Sequence, residues 1–206
     1  MRITLFDYGA GNLHSLAKAL AGPGRAVQVE PDPVAACDTD VLVLPGVGAF
    51  GPAAARLAPG REAMRSAVRA GLPTLGICLG MQLLFDGSDE GDGLGLGLVA
   101  GRATRLAAAR LPQIGWNSID DATGGAPDAL FASSGLTIAY YANSFACRPD
   151  DPAIVTAWSV HETDRFAAAV RVGACVGVQF HPEKSSAPGL RFLDHFLRTA
   201  ARGRVP

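Results

Sequence analysis

Three times before Asp86 a short apolar run is followed by a longer stretch of helical period, and this alternation constrains the fold more than any other feature of the chain. Ile3 to Phe6 precedes Leu13 to Ala21. Val41 to Leu44 precedes an Ala-rich stretch ending near Ala70, and Thr74 to Cys78 precedes Gly80 to Phe85. Runs of four or five apolar residues bounded by Gly, Pro or Asp read as buried strands, and the intervening segments as helices. Repeated strand–helix–strand units build a mostly parallel sheet with helices on both faces, and ligands bind such a sheet outside the carboxyl ends of its strands. The turns after Phe6, Leu44 and Ile77 are therefore where chemistry is expected.

Beyond about residue 97 strand-like runs dominate: Ile114 to Ile119, Thr137 to Ala142, Ile154 to Trp158, Phe166 to Arg171 and Cys175 to Phe180. An antiparallel extension of the parallel core fits this pattern. Pro188 marks a helix start, and Gly189 to Ala201 is amphipathic, with Leu190, Phe192, Leu193, Phe196 and Leu197 as its apolar face. Gly91 to Gly97, with four glycines, reads as a loop. No repeat or long linker divides the 206 residues, so one domain spanning 1–206 is expected.

Charge narrows the function classes. With 18 Lys plus Arg against 19 Asp plus Glu, the formal charge of −1 gives no long-range attraction to nucleic acid or to an anionic membrane, which favours a small molecule or a protein as partner. Only about five apolar residues precede Asp7, too few for a signal-peptide core, and a cytoplasmic location is expected. Cys37, Cys78, Cys147 and Cys175 lack C-x-x-C spacing. Neither a metal site nor a disulfide framework is expected, and no cofactor is.

The strongest local motif is Thr74-Leu-Gly-Ile-Cys78-Leu-Gly80-Met-Gln82, an apolar strand that meets a helix start through Gly-x-Cys-x-Gly. This is the pattern of a nucleophile elbow with cysteine in place of serine. A sharp turn lifts the reactive atom above the sheet, and flanking glycines keep bulk away from it. The unpaired N–H groups of the following helix favour a thiolate there. About a hundred residues on, Val176-Gly-Val-Gln-Phe-His181-Pro-Glu183 ends another apolar strand in polar residues. Proline holds the residue before it in the extended region, so His181 and Glu183 are expected on one face of an extended segment, the carboxylate orienting the imidazole. Cysteine, histidine and carboxylate together are a recurrent recipe for acyl transfer.

A third strand end, Val43-Leu-Pro-Gly46-Val47-Gly48-Ala-Phe50-Gly51, offers a glycine-flanked turn. The N–H groups of Val47 and Leu79 are the candidate donors for a tetrahedral oxyanion. Gly46-x-Gly48-x-x-Gly51 also spells the dinucleotide fingerprint, but it does not follow the first strand. The next strand ends at Cys78 rather than at a ribose-binding acid, so that reading is set aside.

Pro45-Gly-Val-Gly48, Gly76-Ile-Cys-Leu-Gly-Met-Gln82 and Gln179-Phe-His-Pro-Glu-Lys-Ser185 occur in an order and approximate spacing that resemble the class I, triad-type glutamine amidotransferases over nearly the whole chain. Asp7-Tyr-Gly-Ala-Gly-Asn12, Pro45 to Phe50, Leu111 to Asn117 and Tyr140 to Phe145 are similar to the branch of that family serving histidine biosynthesis. The resemblance implies that Cys78 attacks the carboxamide of glutamine, that His181 protonates the departing ammonia and later activates water, and that Glu183 orients His181. It further implies glutamine contacts from Gly46, Gln82, Glu90, Ser144 and Phe145. The implied partner is a (β/α)8-barrel cyclase that receives the ammonia, with Asn12, Gln113, Trp116 and Asn117 near the shared interface or the ammonia passage. Two segments depart from that pattern: Gln113 in one and Asn143 in the other replace histidines usual in that branch, and in the second Phe145 replaces the usual tyrosine. The same chemistry serving another synthase, or a non-catalytic binding subunit, are the rival readings.

Overall fold

The computed structural model describes residues 1–9, 13–121 and 128–203. Its main sheet opens with β1 (Arg2–Phe6), followed by α1 (Leu13–Leu20), β2 (Ala26–Glu30), β3 (Val41–Leu44), α2 (Phe50–Leu57), α3 (Arg61–Arg69), β4 (Thr74–Ile77) and the one-turn α4 (Leu79–Gln82). Two small sheets draw on the next stretch: β5 (Phe85–Ser88), β6 (Val99–Arg105) and β7 (Gln113–Ser118). After the two-residue β8 (Asp120–Asp121) come α5 (Ala129–Ser134), β9 (Ile138–Asn143), β10 (Phe145–Pro149), β11 (Val155–His161), β12 (Asp164–Val172), β13 (Cys175–Val178) and the closing α6 (Ser186–Arg202).

The main sheet runs β2-β1-β3-β4-β13-β12-β11-β8. Strands β2, β1, β3, β4 and β13 are parallel, and β12, β11 and β8 extend them antiparallel. That is the expected parallel core with an antiparallel extension. The central strands β3, β4 and β13 are buried at every position, which their unbroken apolar runs require, since helices cover both faces. Successive residues point to opposite faces. Val41 and Val43 therefore enter one core with Leu16, Leu20, Phe192 and Leu197, while Leu42 and Leu44 enter the other with Phe50, Leu57, Met64 and Met81. No helix among the described residues is long and apolar enough to cross a membrane.

Several boundaries differ from the periodicity. The Ala-rich stretch splits into α2 and α3 at Pro59-Gly60, where a side chain on Gly60 would sit 2.7 Å from Pro33 Cγ. The helix expected over Gly80 to Phe85 stops after one turn. The Leu83 carbonyl accepts the Leu96 N–H and the Leu84 carbonyl accepts those of Leu98 and Val99, so the 95–99 segment takes the place of a continuing helix. Gly91 to Gly97 holds no regular element, as its composition implied. Five strands escaped the reading: β2, an edge strand with little burial; β5, whose first residue falls in the helix expected before it; the two-residue β8; and β6 and β10, whose mixed polar sequence hides their pairing.

Glycine fixes the packing beneath the elbow. A Cβ on Gly80 would lie 2.0 Å from the Leu44 carbonyl oxygen, and one on Gly76 would lie 2.6 Å from that of Gly80. The turn after β4 is thus pressed directly onto the end of β3. Because backbone rather than a flexible side chain blocks the space, Gly80→Ala is expected to cost about 3 kcal/mol or more. Urea unfolding of the variant measures it; a midpoint equal to the parent's would contradict the close packing.

Candidate active site

The parallel pairing of β4 with β13 brings the two halves of the site together. Ile77 pairs with Val178, so the chain delivers Cys78 from one strand end and Gln179 to His181 from its neighbour. Cys78 takes φ 49° and ψ −105°, a left-handed setting that a non-glycine residue holds only when its surroundings enforce it. Enforcement comes from its N–H, which donates to the Val178 carbonyl at 2.7 Å, and from its carbonyl, which accepts the Gln82 N–H at 3.1 Å. Elbow and strand end therefore share main-chain bonds.

His181 is extended, with φ −103° and ψ 95°, as the following proline dictates. Glu183, however, does not continue an extended segment. Pro182–Lys184 form a 3₁₀ turn closed by the Lys184 N–H on the His181 carbonyl at 3.0 Å, and this turn, not strand periodicity, folds the carboxylate back. Glu183 Oε1 lies 2.8 Å from His181 Nδ1, with both side chains at most 8% exposed. Burial lowers the imidazole pKa, but hydrogen bonding to Cys78 and Glu183 and the charges of both outweigh it and push it up to about 9. At neutral pH the site accordingly holds an imidazolium between a carboxylate and the Cys78 sulfur.

The loop after β3 lies against this ring. A Cβ on Gly46 would sit 2.9 Å from His181 Cε1 and 3.0 Å from the Ile77 carbonyl oxygen, so only glycine fits there. Gly48 has φ 115°, which glycine alone adopts freely. Val47 stands between them, and Leu79 is the first residue of α4, a position whose amide has no intrahelical acceptor. Gln179 was not singled out from the sequence. It is fully buried and directs Nε2 to Cys78 Sγ at 3.5 Å; the signal available was a polar residue closing an otherwise apolar strand.

The remaining candidates divide. Gln82 is buried four residues after Cys78, with Nε2 3.4 Å from the Phe145 carbonyl, which also accepts Asn143 Nδ2 at 3.0 Å. The Ser144 carbonyl accepts the Leu106 N–H at 2.9 Å. Ser144 and Phe145, implied as glutamine contacts, thus have their main-chain carbonyls committed within the fold. Glu90 is exposed, and its Oε2 accepts the Phe50 N–H at 2.9 Å, capping α2 where the Gly46–Gly48 loop ends. Gln113 and Asn143, 30 residues apart, prove to be cross-strand partners on the buried face of the β7–β9 ribbon. On its other face Trp116 is exposed beside Ile114 and Ile138. Asn117 Nδ2 donates to the Val160 carbonyl at 2.9 Å, tying β7 to β11. Asn12 lies outside the described residues.

The other cysteines have different surroundings. Burial raises the thiol pKa of Cys37, Cys147 and Cys175, that of Cys175 to about 12, which leaves each of them a protonated packing residue. No group of three metal-ligating side chains occurs among the described residues. A cysteine at a strained strand–helix turn, beside a carboxylate-oriented imidazolium and below a glycine loop, is equipped for nucleophilic acyl transfer.

Two titrations check these electrostatics. Cys78→Ala removes the sulfur's hydrogen bond and charge, so the His181 pKa is expected to fall from about 9, read from the imidazole Cε1–H shift by NMR. A pKa raised from 6.5 to about 9 contributes stability that is complete below 6.5 and lost as pH rises through about 9. His181→Gln should therefore flatten the decline in unfolding free energy across that window. An unchanged slope would separate His181 from the sulfur and carboxylate.

Residues 4–200 match the family model described as glutamine amidotransferase class-I. The imidazole glycerol phosphate synthase subunit HisH of a Synechococcus strain is 42% identical over 208 residues, covering 98% of this chain and 94% of its own. The same-named subunit of Symbiobacterium thermophilum is 44% identical over 203 residues, covering 96% of this chain and 93% of its own. A chain from the structure of PurLQS from Thermotoga maritima superposes with a TM-score of 0.69 at 20% identity, covering 96% of this chain and 98% of that one, which is a likeness of fold. The site's geometry and the match along nearly the whole sequence agree: the chain belongs to the class I glutamine amidotransferase family.

Proposed function

We propose that this chain is the glutaminase subunit of imidazole glycerol phosphate synthase and supplies ammonia from glutamine to a cyclase subunit in histidine biosynthesis. The observation that carries the chemistry is Cys78 on its strained turn beside the His181–Glu183 pair, with His181 Nδ1 2.8 Å from the carboxylate. The Cys78 sulfur attacks the side-chain carboxamide carbon of glutamine. The developing oxyanion is held by the amides of Val47 and Leu79, beside Gly46. His181 gives its proton to the departing nitrogen, and ammonia leaves a glutamyl thioester on Cys78. The imidazole, now a base, takes a proton from water, whose oxygen attacks the thioester; glutamate departs and the sulfur is restored.

Glutamine's amino-acid end is assigned to Gln82, to the free Oε1 side of Glu90, and to the segment at Ser144 and Phe145. With their carbonyls already engaged, Ser144 and Phe145 contribute shape and amide N–H groups rather than acceptors. The partner is read as a (β/α)8-barrel cyclase seated on the exposed face of the β7–β9 ribbon, where Ile114, Trp116 and Ile138 form an apolar patch. Trp116 is the anchor of that contact. Gln113 and Asn117 support it from within, since the first is buried and the second is bonded to β11.

Cys78→Ala is expected to lower glutamine-dependent ammonia release by at least about a thousandfold, while synthesis from added ammonium salt by the two-subunit complex persists. Wild-type glutamine turnover in that variant would remove Cys78 from the reaction. Trp116→Ala should weaken association with the cyclase by at least about tenfold, measured by calorimetric titration; unchanged affinity would move the interface elsewhere. Complementation of a histidine auxotroph tests the pathway itself.

A further inference from the structure

One buried hydroxyl outside the triad is bonded to the base and to the aromatic face together. Ser185 ends the turn that carries Glu183 and is 1% exposed. Its Oγ donates to the His181 carbonyl at 2.6 Å and accepts the Tyr140 N–H at 2.9 Å. The His181 N–H donates to the Tyr140 carbonyl at 2.8 Å. These three bonds form a closed ring in which a serine hydroxyl stands where a second main-chain bond of a β-ladder would be.

The ring has a consequence for β9. Both main-chain polar groups of Tyr140 are engaged by the His181–Ser185 turn, so the facing pair Trp116 and Tyr140 is of the non-hydrogen-bonded kind, in which side chains approach closely. Their rings meet edge to face with centroids 6.2 Å apart, and Lys184 Nζ stands 5.8 Å from the centre of the Tyr140 ring. On the inner side the turn cannot retreat. A Cβ on Gly189 would lie 2.1 Å from the Pro182 carbonyl oxygen and 2.7 Å from Ser185 Cβ, and Ser186 is held at φ 54°. The turn is clamped by α6 on one side and by Tyr140 on the other.

The exposed aromatic face and the base thus share one residue, Tyr140, and Ser185 supplies the one side-chain group in the ring. We propose that Ser185 is a positioning residue through which whatever covers the Trp116–Tyr140 face sets the place of the His181 imidazole against Cys78. The inference rests on the glutaminase reading and adds to it a route by which docking of the cyclase governs glutamine turnover. Ser185 touches no reacting atom. Its hydroxyl fixes the main chain from which the imidazole projects, and proton transfer is sensitive to small errors in that placement.

The test measures glutamine turnover with and without the cyclase for the wild-type chain, Ser185→Ala and Ser185→Thr, each as the full chain. Ser185→Ala is expected to lower the ratio of stimulated to unstimulated turnover by about tenfold or more. The loss should fall on kcat, with KM for glutamine within about twofold of wild type. Ser185→Thr keeps the hydroxyl and should recover most of the ratio, and ammonium-dependent synthesis should be unchanged in both complexes. A wild-type ratio in Ser185→Ala, or a threonine variant as impaired as the alanine one, overturns the proposal. If Ser185→Ala does not fold, Ser185→Cys, which keeps the shape but is a weaker donor, is scored by the same ratio. Cys78→Ala is run beside them: if it retains glutamine turnover, the glutaminase reading fails and this inference with it. If it is inactive while Ser185→Ala keeps the wild-type ratio, only the role of Ser185 is lost.

Discussion

The parallel pairing of β4 with β13 is the contact on which the site depends. It joins segments about a hundred residues apart, and its register, Thr74 to Cys175 through Ile77 to Val178, decides that Cys78 emerges next to Gln179 and within reach of His181. Because side chains alternate between faces, a slip of one residue would exchange every core position on the strand and move Cys78 away from its partner. Burial on both faces makes such a slip costly, since Leu75 and Ile77 fill one core while the glycines at 76 and 177 admit α4 on the other side. The hydrophobic effect that builds the sheet thereby also sets Cys78 beside Gln179 and His181.

Much of this was legible in the sequence because it is local. Apolar runs of strand length gave the parallel core, Gly-x-Cys-x-Gly gave the elbow, and Pro182 gave the conformation of His181. What escaped depends on distant pairing. Nothing near Gln113 indicates that Asn143 faces it, nor does Ser88-Asp-Glu-Gly reveal that Glu90 caps a helix 40 residues earlier. The shortened α4 escaped because apolar periodicity runs on through Leu83 and Leu84, while the acceptors that end the helix are satisfied by the 95–99 segment. Glu183 was placed beside His181 by the wrong geometry, since the chain turns where extension was expected.

Electrostatics sort four cysteines that composition leaves equivalent. Burial among apolar groups keeps Cys147 and Cys175 as thiols, whereas Cys78 has for neighbours an imidazole whose other nitrogen is held by a buried carboxylate. The sulfur and that carboxylate together maintain the positive charge on the imidazole between them, and the carboxylate also orients the ring. Gln113 and Asn143 add no titratable group to the neighbouring ribbon, and within the pair only hydrogen bonding and shape remain to act.

The left-handed backbone of Cys78 bears on how such a protein fails. A residue at φ 49° is held there against its own preference by the bond to Val178 and by contacts that permit no side chain on Gly80. The β4–β13 seam that builds the centre of the sheet thus also holds this residue against relaxing toward ordinary extended geometry. Chemical competence and architecture therefore draw on one contact: whatever opens the seam also releases Cys78 from its left-handed setting.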